Sequence, residues 1–100
     1  MSLVRVELPS GLAVVARLPR EVAVRVEGVV TLGAVLDALE AAHPVLRGTM
    51  RDGVSGRRRA FIRFFACQRD FSHCSMAEAL PAVVAAGEEA LLVVGAIAGG

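Results

Sequence analysis

The chain has 100 residues, enough for one hydrophobic core and not two, since domains cluster at roughly 100 to 150 residues. Hydrophobic residues make up 55%, charged residues 21%, and the formal net charge is +1, which excludes a disordered polyelectrolyte and gives nucleic-acid binding no support from bulk charge. Mean hydropathy is high at +0.60, yet charged residues interrupt every apolar stretch well short of the roughly 20 residues a membrane span needs. The opening residues, with Arg5, Glu7 and Pro9, lack the basic-then-apolar layout of a secretory signal, so a cytoplasmic chain with reduced thiols is expected.

Leu3 to Leu8 alternates Val4, Val6 and Leu8 with Arg5 and Glu7, the period of two of a strand with one buried face, and Pro9, Ser10 and Gly11 stop it. Leu12 to Leu18 fits either a short helical turn or more strand, limited by Pro19. From Glu21 the alternation returns, Val22, Val24 and Val26 against Ala23, Arg25 and Glu27, until Gly28. The two alternating runs predict an antiparallel pair.

Thr31 offers an N-cap oxygen, and Leu32, Val35, Leu36, Leu39 and Ala42 follow as one apolar stripe at helical spacing. Pro44 disfavours helix at His43; Val45 to Met50 could add a turn, weakened by Gly48. Arg51 to Arg59, with two glycines and an arginine triplet, reads as a solvated loop.

Ala60 to Cys67 predicts a strand with Phe61, Arg63 and Phe65 on one face and Ile62, Phe64 and Ala66 on the other. One face is expected to pack on the helix, leaving the phenylalanines around Arg63 to await a partner. Gln68 to Ala79 reads as loop, although Ser75 and Glu78 have capping-box spacing. Pro81 to Ala86 suits a short helical turn stopped by Gly87. Ala90 to Ala98 is apolar throughout, the pattern of a central strand covered on both faces, and Gly99 and Gly100 follow it.

This order implies an α+β fold: a mixed sheet with one main helix on one face and the last strand in the middle beside the first, the β-grasp arrangement of ubiquitin. Residues 1–98 would form the domain and 99–100 a flexible tail. The helix from Thr31 to Glu40 with His43-Pro44 after it, the strand Phe61 to Phe65, and above all the close Ala96-Ile97-Ala98-Gly99-Gly100 resemble the MoaD/ThiS family of sulfur carrier proteins.

The resemblance implies that an adenylating activating enzyme uses ATP to convert the Gly100 carboxylate to an acyl-adenylate, which a sulfur donor turns into a thiocarboxylate. Glycines suit this chemistry because a backbone without Cβ can enter a narrow active site; Gly99 and Ala98 would form the rest of the entering tail. Phe61, Arg63 and Phe65 would dock the partners, which include a sulfur-accepting catalytic subunit. The leading role is the small subunit of molybdopterin synthase. Carriers for cysteine, thiamine or tRNA thiolation, and a ubiquitin-like modifier conjugated through Gly100, are the alternatives. Family members usually have an Asn-Gly-type turn where this chain has Ala66-Cys67-Gln68.

Cys67, His73 and Cys74 invite a metal or thiol-nucleophile reading, but a tetrahedral site needs a fourth ligand and only the distant His43 is available. Both cysteines are therefore read as small apolar residues, and no metal or bound cofactor is expected. Arg57, Arg58 and Arg59 have no aromatic between them to stack bases, so neither nucleic acid nor membrane is an expected partner. No acid, base and nucleophile converge in the pattern, and a carrier without its own catalytic site is expected.

Overall fold

The computed structural model describes residues 1–95. In it the two alternating runs become strands β1 (Ser2–Glu7) and β2 (Glu21–Val26), antiparallel, with Val4 opposite Val24 and Val6 opposite Val22. The even-numbered valines of both strands are buried, whereas Glu21, Ala23 and Arg25 are exposed. The open segment between them is helix α1 (Ser10–Ala16). It has no capping side chain and is closed at its C-terminal end by Arg17 in the left-handed region, φ 57°. Ala13 of α1 is buried and Leu12 and Ala16 pack partly against the core, a narrow face at helical spacing, while Val14 and Val15 are exposed.

The main helix, α2 (Leu32–Ala42), starts as the sequence predicts: Thr31 Oγ1 accepts the Ala34 N–H at 3.0 Å, satisfying one of the first-turn donors. Leu32, Val35, Leu36 and Leu39 are all buried against the inward side of the sheet, beside Val4, Val6, Val24 and Val93. Each such side chain contributes roughly 1.5 to 3 kcal/mol relative to exposure. Ala42 does not belong to the stripe, because it is exposed. Pro44 ends the helix and begins a 3₁₀ turn, Pro44–Leu46, which carries Leu46 inward to full burial instead.

Strand β3 (Ile62–Ala66) is followed by a two-residue strand β4 (Arg69–Asp70), then helix α3 (Ala82–Ala85) and strand β5 (Leu91–Gly95). The sheet order is β2-β1-β5-β3-β4. Strand β5 runs parallel to β1 and antiparallel to β3, which is the mixed β-grasp sheet with its last strand central. The predicted strand Ala90–Ala98 is observed over Leu91–Gly95, and residues 96–100, with the predicted domain end and the Gly-Gly tail, lie outside the described residues. Its two faces are unequal. Leu91 and Val93 are buried, but Val94 is 41% exposed, so β5 is covered fully on the helix side alone.

Two segments read as loop are more tightly built than their composition suggests. In the first, Arg51 donates to both carboxylate oxygens of Glu40, at 3.0 and 3.1 Å, and also to Asp37, leaving its side chain only 15% exposed. Arg58 donates to the carbonyls of Ser72, at 2.9 Å, and Ile62, at 2.7 Å. The long connection is thus clamped to α2 and to the hairpin by arginines rather than freely solvated. In the second, Phe71 and Ser72 are buried directly after β4. The Ser72 hydroxyl accepts the Phe64 N–H at 2.9 Å, which substitutes a side chain for a ladder partner.

Candidate docking face

Side chains alternate along each strand, so the residues not facing α2 collect on one outward face. The register lines up Glu21, Glu7, Leu92, Phe65 and Asp70 in a single row across the sheet, from β2 to β4. Beside it Val94 pairs with Arg63. The face is therefore charged over β2 and β1 and apolar over β5 and β3.

Phe61, Arg63 and Phe65 share parity, but the structure does not bring them into one patch. Phe65 is half-buried and lines an open groove of about 650 Å³ together with Leu92, Cys67 and Gln68, under Glu88 and Glu89. Phe61 lies one residue before β3 begins and is 60% exposed. It borders a second, larger groove of about 950 Å³, shared with Pro9, Leu12, Arg20, Arg59 and Val94, at the end of β5. Arg63 stands near Asp70, 3.6 Å away, with its side chain 43% exposed. Arg63 and Phe65 share the outward parity of β3; Leu92 and Val94, which the apolar run of β5 predicts to be covered, extend this surface, with Val94 41% exposed.

The turn that departs from the family pattern keeps the geometry without the usual residues. Cys67 and Gln68 both take positive φ, 53° and 63°, the conformation a two-residue hairpin turn of the favoured twist requires and one that Asn-Gly supplies at lower cost. Cys67 is consequently presented on the exposed hairpin tip as a free thiol. Cys74 is half-buried, and desolvation followed by the neighbouring Glu78 pushes its thiol up from the ordinary value, favouring the unreactive protonated form. Among the described residues no group of His, Cys, Asp and Glu gathers as metal ligands, and no helix is long and apolar enough to cross a membrane.

Charge fixes the rim of the face. Arg5 donates to both oxygens of Glu21, at 3.2 and 3.1 Å, and to the carbonyls of Gly87, at 3.0 Å, and Glu88, at 3.2 Å. Its hydrogen bond holds the Glu21 carboxyl below the ordinary carboxylate value. One guanidinium thereby joins the edge strand to the turn that leads into β5. Asp70 is likewise held low, first by the Ser72 hydrogen bonds and then by Arg63.

A mixed five-stranded sheet with its last strand central and its main helix packed on one face defines a ubiquitin-like β-grasp domain. No family model and no curated protein matches the sequence. Solved structures do match. The chain is 31% identical to SAMP1 from Haloferax volcanii in its crystal structure, over 96% of this chain and 97% of that one, with a TM-score of 0.72. A second crystal structure, of H. volcanii small archaeal modifier protein 1, gives 30% identity, 97% and 100% coverage, and a TM-score of 0.75. The crystal structure of the Amycolatopsis orientalis BexX/CysO complex shares the fold at 18% identity and a TM-score of 0.71, over 96% and 98% of the two chains. The chain belongs to the MoaD/ThiS-type family of ubiquitin-like sulfur carriers and modifiers.

Proposed function

We propose that this protein carries sulfur as a thiocarboxylate on Gly100 and delivers it to a catalytic partner that docks on the outward face. The observation that supports the reading is the placement of β5: the central strand ends at Gly95 in the groove that Phe61 and Val94 border, and the sequence that follows is Ala-Ile-Ala-Gly-Gly. Residues 96–100 could reach at most roughly 17 Å from Gly95 when extended, at about 3.3 to 3.6 Å per residue. A partner seated over Phe65, Leu92 and Val94 must hold its active site within that reach to receive Gly100.

The chemistry divides between the proteins. An activating enzyme joins the Gly100 carboxylate to AMP from ATP with release of pyrophosphate. A sulfur donor then displaces AMP at the same carbonyl carbon. This chain contributes the acyl group, a narrow approach through Gly99 and Ala98, and docking through Phe61, Arg63 and Phe65, with no catalytic residue of its own. The acceptor proposed is the large subunit of molybdopterin synthase. A second reading, attachment of Gly100 to lysines of other proteins, is favoured by one observation: the relatives at 30% and 31% identity are named small archaeal modifier proteins.

The deciding experiment is intact mass spectrometry after incubation with an activating enzyme, ATP and a sulfur donor. Exchange of one terminal oxygen for sulfur is expected, and lost in chains that lack Gly100 or carry one added alanine after it. Full activity in either variant overturns the carrier reading. Molybdopterin formation on adding the large subunit supports the acceptor, whereas isopeptide-linked products with cell proteins replace sulfur delivery by conjugation.

A further inference from the structure

Strand β2 is an edge of the sheet, paired with β1 alone. The Leu8 N–H donates to the Arg20 carbonyl at 2.6 Å, which fixes the phase of the ladder: backbone groups of Arg20, Val22, Val24 and Val26 point toward β1. Those of Glu21, Ala23 and Arg25 then point outward. Among the described residues, none of the hydrogen bonds outside the strand ladders uses these outward groups. The strand contains no proline or bulge to blunt its edge, and the exposed charges it does carry, Glu21 and Arg25, are of opposite sign and flank Ala23 symmetrically.

The sequence of this edge is complementary to itself. In an antiparallel register centred on Ala23, Ala23 faces Ala23 of a second copy, and each Glu21 faces the other copy's Arg25. Each of these facing pairs would exchange two hydrogen bonds through the outward groups. Registers that place Glu21 opposite Glu21, or Arg25 opposite Arg25, use the same backbone phase but oppose like charges. A parallel register also sets like beside like. Glu21 already holds Arg5, so in the centred register each carboxylate lies between two guanidiniums.

We infer that β2 is a self-association edge, through which two copies of this chain join antiparallel about Ala23 into one continuous sheet. The rotation axis runs through the sheet, so both α2 helices stay on one face and both outward faces on the other. At about 4.8 Å between strands, Leu92 lies roughly 10 Å and Phe65 roughly 14 Å from β2. The docking surface thus stays free in the dimer. Edge pairing buries less than the roughly 1,200 Å² of a stable interface, so association is weak and concentration-dependent.

Sedimentation velocity over a concentration series reaching the millimolar range, with amide hydrogen exchange on the same samples, tests this. Dimer should appear with concentration, accompanied by protection of the Glu21, Ala23 and Arg25 amides. Ala23→Pro, tolerated on an edge whose N–H faces outward, should weaken association about tenfold or more by removing the central bonds. Glu21→Arg and Arg25→Glu should each be monomeric alone and pair when mixed, since the first then presents two arginines to two glutamates of the second. A native chain that stays monomeric, a dimer insensitive to Ala23→Pro, protection confined to other strands, or a mixture that does not associate each overturns the inference. The mixing arm decides the matter if Ala23→Pro does not fold.

Discussion

The two faces of β3 are built on opposite principles from adjacent residues. Phe64 is fully buried in the core, while Phe65 is half-buried on the outward side and Phe61, just before the strand, is 60% exposed, so the same residue type serves the core at one position and a groove beside it. The inward face has closed its apolar surface within the chain. The outward face has left its own open and surrounded it with fixed charges: Arg5 on Glu21, Arg63 near Asp70. Burial on the first does not depend on ionisation, whereas the fastenings of the second do. What the contrast teaches is that the core and the outward surface can be altered separately here, even through neighbouring residues.

The largest test of that separation sets Phe64→Ala against Phe61→Ala. Removing a fully buried phenylalanine is expected to cost about 3 to 5 kcal/mol, through lost transfer energy and the cavity left behind. Removing the exposed one should change stability by less than about 0.5 kcal/mol. Urea unfolding of both variants measures the difference. Equal losses would mean that Phe61 packs in the core and that the two-faced description of β3 is wrong.

Much of this contrast could be read from the sequence, because period-two alternation in β1 and β2 and the helical stripe of Leu32, Val35, Leu36 and Leu39 encode burial directly. The central position of β5 was also legible from its apolar run. Two kinds of feature were not. Leu12 to Ala16 is apolar on every side, so its composition does not distinguish helix from strand; the structure turns Leu12, Ala13 and Ala16 to the core and leaves Val14 and Val15 exposed at 77% and 78%. The arginine loop was opaque for another reason: Arg58 meets the Ser72 carbonyl 14 residues away, a contact that composition cannot reveal. The candidate site fell between these cases. Parity placed Phe61 and Phe65 on the outward side, but where β3 begins decides that they border different grooves.

A middle-sized effect is expected where polar fastening meets the helix. Glu40 and Arg51 each keep only 15% of their side chains exposed and share two hydrogen bonds, so Glu40→Ala leaves a half-buried guanidinium with Asp37 as its remaining carboxylate. The loss should be about 1.5 to 3 kcal/mol, the range of hydrogen bonds to charged groups. Denaturation of Glu40→Ala, Arg51→Ala and the double variant gives the coupling between them. Additive losses would show that the pair contributes nothing as a pair.

The smallest expected effect is a pH signature at the far edge of the outward face. The Ser72 N–H donates to Asp70 Oδ1 at 2.7 Å, and the carboxyl sits below its ordinary value because of Ser72 first and Arg63 second. A carboxyl depressed in the folded state binds its proton more readily when unfolded. Its contribution is therefore complete above the unfolded value of about 3.9 and is lost as pH falls through the lower folded value. Asp70→Asn keeps an oxygen that can accept the Ser72 N–H but removes the titration. The stability difference between native chain and variant should be constant from neutral pH down to about 5, then shrink steadily toward pH 2. Urea midpoints at several pH values measure it. A difference that stays constant across that window would show that Asp70 acts through the shape of its turn and not through its charge, and would leave Arg63 free of any electrostatic partner in the docking face.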